Sequence, residues 1–383
     1  MSWWQIIKCH KGTRMPRNHQ GLNRLFYFYL FTFIFLLLSF YFYLLSFIFK
    51  TMFIPQSYTL AIILCFITMI CWGSWGNTQK LAGKTWRFEL FYWDYVFGIV
   101  LFSILLGFTM GSTGESGRGF IQDIKQAEPH NILYAMIGGV IFNASNILLV
   151  AAMAIAGMAV AFPVGVGIAL ALGVIINYVY TPHGNPTMLF GGVALVVAAI
   201  VIDAAAYKKH SISLKKVSGK GITLSISAGI LMALFYRFVA SSMVTSFAAP
   251  EPGKLTPYSA IFFFSIGVLV SNFLFNWLIM KQPFEGKPLS FKDYKKGTFD
   301  AHLNGVMGGV IWNIGMSMSI LASGKAGFAI SYGLGQGATL VAALWGVFIW
   351  KEFKGASKSV NMLIFLMFIA YLAGLALLVY AGA

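Results

Sequence analysis

From Met52 onward, nearly the whole chain consists of apolar runs of about twenty residues or more, separated by polar stretches. A run of that length matches the hydrocarbon thickness of a bilayer when coiled as an α-helix. The pattern predicts ten such helices, over about 56–78, 90–110, 131–154, 157–180, 187–207, 221–245, 257–280, 302–323, 326–350 and 360–381. Pro and Gly punctuate the connections, at Gly111 to Gly119, Pro182 to Pro186, Pro250 to Gly253 and Pro283 to Pro288. The fold class that follows is an all-α membrane protein.

One apolar stretch occurs twice. Gly138-Gly139-Val140-Ile141-Phe142-Asn143 returns as Gly308-Gly309-Val310-Ile311-Trp312-Asn313, an offset of 308 − 138 = 170. The same offset places Ala156-Gly157 on Ala326-Gly327, Phe162 on Tyr332, and Gly165 and Gly167 on Gly335 and Gly337. Five helices in 52–207 precede a basic loop at 208–220, and five in 221–383 follow it. An odd number of spans per unit inserts the second copy upside down. A ten-helix bundle of two inverted five-helix repeats is the plan of a secondary transporter.

The N-terminal extension, residues 1–51, stands apart. Residues 1–24 are basic and polar, and 25–49 are long enough to span. That run is built almost wholly from Phe, Tyr, Leu, Ile and Ser, without the Gly and Ala that let membrane helices pack closely. It has no small-residue cleavage site, which argues against a removable signal peptide. It reads either as an extra anchor helix or as a mis-assigned start upstream of Met52. Its composition favours the second.

Composition removes most other classes. Of 383 residues 58% are hydrophobic and 10% charged, and the mean hydropathy is +0.78, so the chain has no room for a soluble domain. The net charge of +16 does not signal nucleic acid, because it is sorted by loop. Loops 79–89, 208–220, 281–300 and 351–358 hold sixteen Lys and Arg, against Arg118, Lys125, Lys254 and Lys325 in the alternate loops. The positive-inside rule puts the first set in the cytoplasm and the C-terminus outside a cell membrane. Cys9, Cys65 and Cys71 have no metal-ligand spacing, and the six His form no H-x-x-x-H pair. No hydrolase, zincin or phosphate-loop motif is present. No enzyme activity, metal or cofactor is expected.

Charge within a span is costly, and each instance is a candidate site. Asp94, within Phe91-Tyr92-Trp93-Asp94-Tyr95, reads as an inner gate or proton-coupling residue, or as an interfacial residue in an aromatic belt. Arg237 reads as facing the outer vestibule, or as snorkelling outward. At about 1.5 Å per residue they lie roughly 6–7 Å and 24 Å from the inner surface, which argues against a direct ion pair. Asp203 and Glu352 sit at helix ends within reach of water. Neutral polar residues suit a solute better. Asn143 and Asn146 share a face of the third helix, Asn313 repeats Asn143, and Gln336 lies between Gly335 and Gly337. Their amides both donate and accept, as a small polar ligand requires, although interhelical hydrogen bonding is the competing role. Trp72, Trp75, Trp312 and Tyr332 offer faces for stacking on a planar or sugar ring, or serve as packing. Pro163, Gly165, Gly167, Gly335 and Gly337 mark points where helices bend around a ligand, or pack tightly.

Several stretches together resemble the ureide permeases of the drug/metabolite transporter superfamily. They are Trp72-Gly73-Ser74-Trp75, Tyr92-Trp93-Asp94-Tyr95, Gly138-Gly139 with Asn146, Gly157, Asn177-Tyr178, Tyr258 to Phe264, Gly308-Gly309, Trp345-Gly346 and Glu352-Phe353. The eighth-to-ninth helix stretch is also similar to rhamnose–proton symporters. The resemblance implies ten helices and proton-coupled uptake of a small polar metabolite: a ureide, nucleobase or sugar. It leaves the substrate open. The plant family's long central loop with its nucleotide-like motif is absent, and Phe162 stands where an acidic residue is expected in some members. Substrate is expected near mid-membrane between helices 3, 4, 8 and 9. The alternatives are efflux by a permease of the same superfamily and a non-transporting membrane scaffold or receptor.

Overall fold

The computed structural model describes residues 53–83, 86–112, 117–156, 158–210, 219–284 and 286–383. The extension at 1–51, Gly157 and most of the central basic loop lie outside the described residues. Ten helices are long and apolar enough to cross a membrane. They are α1 (Tyr58–Leu81), α2 (Phe88–Phe108), α3 (Pro129–Ala156), α4 (Met158–Tyr180), α5 (Pro186–His210), α6 (Gly219–Ser242), α7 (Pro257–Lys281), α8 (Phe299–Ala326), α9 (Phe328–Ile349) and α10 (Lys358–Tyr380). Among the described residues there is no strand beyond one isolated bridge between Met243 and Leu255.

Local chemistry sets the ends. Ser57, Thr298 and Ser357 cap α1, α8 and α10, each side chain accepting from a backbone N–H one turn on. Proline opens α3, α5 and α7, where a missing N–H costs nothing. Gly327, at φ 77°, lets α8 turn directly into α9. Two short helices, Phe120–Gln126 and Phe291–Tyr294, lie in connections that the apolar pattern leaves unassigned.

Side-chain and backbone contacts define the two ends of the bundle. At one end Lys80 meets Glu352, Tyr207 meets Glu352, and Arg87 donates to the carbonyl of Lys287 at 2.6 Å. This end carries the basic loops and is called the basic face. At the opposite face Tyr58 donates to Val379, Asn185 to Ala381, and Asn131 to Gly253.

The packed pairs come in counterparts. Helix α3 packs on α6 and α7, while α8 packs on α1 and α2; α4 packs on α6, and α9 on α1. Three further pairs, α2 with α7, α4 with α9 and α5 with α10, join helices five apart in order. The repeated glycines sit at these crossings. A Cβ on Gly139 would lie 2.1 Å from the carbonyl oxygen of Phe264 in α7, and one on Gly309 would lie 1.9 Å from that of Tyr95 in α2. In return, a Cβ on Gly267 would lie 2.1 Å from Met136 O, and one on Gly98 2.1 Å from Val306 O. The repeat therefore records two close backbone approaches, each joining a helix of one half to a helix of the other.

Two helices are irregular. In α1 one turn tightens at Trp75, where Thr78 N–H bonds Trp75 O at 3.0 Å while the backbone stays right-handed helical. In α9 the helical run breaks at Gln336-Gly337 and ends in a π-helical turn, Trp345–Ile349.

Candidate functional site

A cavity of about 140 Å³ lies between α1, α3, α4, α6, α8 and α9. Asn146 stands ten residues before the end of α3 and Thr339 ten before the end of α9, so both lie roughly 15 Å from the basic face, near mid-membrane. The walls are aromatic: Trp72, Trp75, Phe142, Phe162, Phe235 and Trp312. Trp72 and Trp312 stack at 5.9 Å with 14° between planes, and the Trp72 indole donates to Trp312 O at 3.1 Å. The polar lining is neutral: Ser145, Asn146, Gln336 and Thr339. Among the described residues, no Asp, Glu, Lys, Arg or His lines it. The break in α9 brings Gln336 to the wall, where Gly337 N–H bonds to Leu334 O at 2.9 Å in place of a regular helical turn.

The site residues expected from sequence divide into two groups. Asn146, Gln336, Trp72, Trp75, Trp312 and Gly165 line the cavity. Asn143 and Asn313 do not. Each is fully buried and reaches across a glycine crossing, Asn143 donating to Val268 O at 3.3 Å and Ser271 Oγ at 2.8 Å, and Asn313 to Ile99 O at 2.7 Å. They are interhelical clamps, one turn beyond Gly139 and Gly309. Tyr332 does not line the cavity but is buried directly behind its wall, its hydroxyl bonded to Ala169 O at 3.2 Å and Met232 O at 3.1 Å and in contact with the Gln336 side chain, all three lining residues. Pro163 lies inside an unbroken α4, and Gly167 has open space where a Cβ would stand. Gly335 and Gly337 give room to Trp72 and to Met69 and Leu375. The two asparagines one turn apart should thus separate in experiment. Asn146 also donates to the Tyr92 hydroxyl at 3.2 Å, so Asn146→Ala is expected to raise the Km for solute and to cost about 1 kcal/mol of stability. Asn143→Ala is expected to leave Km unchanged and to cost about 1–2 kcal/mol of stability, as a lost buried hydrogen bond does. Paired uptake and thermal-melt measurements on the two variants check this.

Asp94 is buried at the basic face and does not meet Arg237. His302 Nδ1 lies 2.9 and 3.0 Å from its two oxygens, and the Tyr294 hydroxyl donates to Oδ1 at 2.5 Å. The Trp86 ring sits edge-on to His302, centroids 4.8 Å apart. Burial, then the nearby carboxylate, pushes the Tyr294 phenol above its usual range, so it stays a donor. Tyr294 belongs to the short helix Phe291–Tyr294, so the connection between α7 and α8 is strapped onto α2. Sequence reading missed His302 and Tyr294, which lie 208 and 200 residues from Asp94. Arg237 instead lies over the Tyr180 ring, 4.2 Å from its centroid.

Asp203 and Glu352 were expected to reach water. Glu352 is instead held by Lys80 at 3.2 Å and by the Tyr207 hydroxyl at 2.5 Å, with its side chain 11% exposed.

An interrupted, aromatic-walled cavity inside a ten-helix bundle defines a multi-pass membrane protein of the transporter class. The ureide permease family model matches residues 91–218 and 207–381, and the chain belongs to the ureide permease family. Ureide permease 1 of Arabidopsis thaliana is 22% identical over 85% of this chain and 98% of its own length. Ureide permease 2 of the same plant has the same identity and coverage. A protein named for sugar uptake in Enterococcus faecalis is 24% identical over 83% of this chain and 98% of its own. A solved protein crystal structure superposes with a TM-score of 0.55 at 14% identity, covering 82% of this chain and 97% of that one, a likeness of fold.

Proposed function

We infer that the protein is a secondary active transporter that takes up a small, neutral, planar polar solute, a cyclic ureide or nucleobase, together with protons. The observation that carries this reading is the cavity, whose stacking walls and uncharged amide and hydroxyl lining suit a flat ring with donors and acceptors on its edge. The relatives' names point to ureides. The one named for sugar uptake keeps a sugar as the second reading. The counterpart packing supports two inverted halves, 52–207 and 221–383, joined by the loop 208–220, which rock to expose the cavity alternately. The basic face is cytoplasmic, which sets the C-terminus outside. Asp94, buried against His302, is the group through which a proton couples.

Uptake by purified protein in liposomes under an imposed proton gradient tests the reading. Hydantoin or uracil is expected to accumulate, glucose is not, and a protonophore abolishes accumulation. Asp94→Asn is expected to let solute equilibrate without accumulating. Native-like accumulation by that variant removes Asp94 from coupling, and failure of all three probes to move overturns the transport reading.

A further inference from the structure

The packing of α1 on α9 has a detailed seam near the basic face. Ser74, Asn77 and Lys80 are spaced three apart on α1, so they run along one side of the helix. Trp345 Nε1 donates to Ser74 Oγ at 2.9 Å, Trp350 Nε1 donates to Asn77 Oδ1 at 2.8 Å, and Lys80 Nζ lies 4.2 Å from the Trp350 ring centroid. The partners on α9 sit on and just after its π-helical turn. Such turns recur at functional sites because they break the regular ladder. Lys351 follows with φ 51°, a left-handed backbone unusual for a residue with a side chain. That turn returns Glu352 to Lys80 and Tyr207.

The counterpart of α1 on α9 is α6 on α4, whose matching ends lie at the opposite face. There a second cation covers a second ring, Arg237 over Tyr180, also 4.2 Å from the centroid. The two rings are repeat mates, since 350 − 180 = 170 is the offset that relates the glycine pairs. Each ring ends its span or closely follows it, and each cation sits in the last two turns of the helix packed against it. One cation-over-ring contact therefore lies near each face, but they differ in enclosure: Lys80 and its partner Glu352 are largely buried, whereas the Tyr180 ring is 65% exposed on the outside of the bundle.

We propose that Lys80–Trp350 is a gate of the transport cycle that closes the cavity to the basic face, while the exposed Arg237–Tyr180 contact is not a gate. The Lys80–Trp350 contact is made in this structure. Opening toward the basic face breaks it. A cation over a ring suits this role because it holds without fixing a single hydrogen-bond geometry. The basic-face gate has an added lock in Glu352, which binds Lys80. The offset places Pro182 at that position in the other half, so Arg237 has no repeat-related carboxylate. The proposal rests on alternating access, but its test needs no transport.

The test places a reporter cysteine in the cavity wall, Ala342→Cys, in a chain carrying Cys9→Ser; Cys65 and Cys71 are buried. A membrane-impermeant thiol reagent is applied from each side of sealed vesicles, with Lys296→Cys in a separate chain identifying the basic face. Lys80→Gln and Trp350→Leu are each expected to raise labelling from the basic face by about tenfold, the population shift from losing one such contact. Arg237→Gln and Tyr180→Leu disturb only the exposed contact and are expected to label as the parent from both faces. Lys80→Arg keeps the cation and is expected to label as the parent. Labelling that rises from the wrong face, or stays unchanged in monodisperse protein, overturns the proposal. So does loss of folded protein on removing Lys80 or the Trp350 ring, because the contact would then be structural rather than a gate. If the labelling pattern holds and no solute moves, the gate stands and the transport reading fails.

Discussion

Gly309→Leu is expected to leave no folded protein in the membrane, and Gly139→Leu to do the same. A Cβ at Gly309 would stand 1.9 Å from Tyr95 O and 2.8 Å from Ile99 N. Both neighbours are backbone atoms of α2, so no side chain can swing aside. The helices must separate, and separation also breaks the Asn313 bond to Ile99 O one turn away. Overpacking a core by single methylenes already costs about 1–3 kcal/mol. A whole leucine against backbone exceeds that and takes most of a net stability of about 5–15 kcal/mol. Gly167→Ala is the control, since nothing lies within 4 Å of its Cβ position. It is expected to purify and melt like the parent. Size-exclusion profiles and thermal melts in detergent read all three. A normal melt for Gly309→Leu would mean that α2 and α8 do not cross where the structure puts them.

How far the chain could be read follows from which interactions are local. The spans were legible because bilayer thickness imposes a length that each apolar run reports by itself, and all ten observed spans fall close to the expected ones. The doubled glycines were legible because close backbone approach admits only the smallest residue. The two asparagines that follow them by one turn were harder. A buried amide looks the same in sequence whether it clamps a neighbouring helix or faces a ligand, and Asn143 and Asn146 do different things from adjacent turns. In α3 the side facing α7 and the side facing the cavity each carry an asparagine among apolar residues, so periodicity does not separate them. Partners far along the chain were invisible. His302 is an isolated histidine in sequence and becomes a neighbour of Asp94 only because Gly305 lets α8 lie against α2. Glu352 reads as a surface acid until the π-helical end of α9 folds it back on Lys80. Arg237 and Asp94 were kept apart by counting depth, a one-dimensional quantity that survives folding of a straight helix.

Trp312→Ala is expected to abolish solute binding while leaving a folded protein. The ring joins the cavity's walls. It stacks on Trp72 at 5.9 Å and on Phe264 at 5.9 Å, and it meets Phe142 at 4.3 Å. These pairs, each about 0.5–1.5 kcal/mol beyond burial, hold the wall in shape and count toward stability rather than affinity. What the solute loses is the wall itself, and a loss of about 3 kcal/mol on that account corresponds to more than a hundredfold in affinity. Removing a buried Trp also costs about 3–5 kcal/mol of stability, so the two effects must be read separately. The shift in melting temperature on adding solute, measured from each variant's own unliganded value, isolates binding. Trp312→Ala should show no shift at solute concentrations that raise the parent by several degrees. Trp312→Phe, which keeps a face in the same wall, should retain a reduced one. The repeat sharpens this comparison, because Phe142 is the residue at the matching position in the other half and already lines the same cavity. Phe142→Ala should weaken binding as well, whereas Asn143→Ala removes an amide that bonds Val268 and Ser271 away from the lining and should leave the solute-induced shift intact. An undiminished shift in Trp312→Ala would place the solute outside this cavity and, with it, remove the basis for a flat, neutral ring as the transported species.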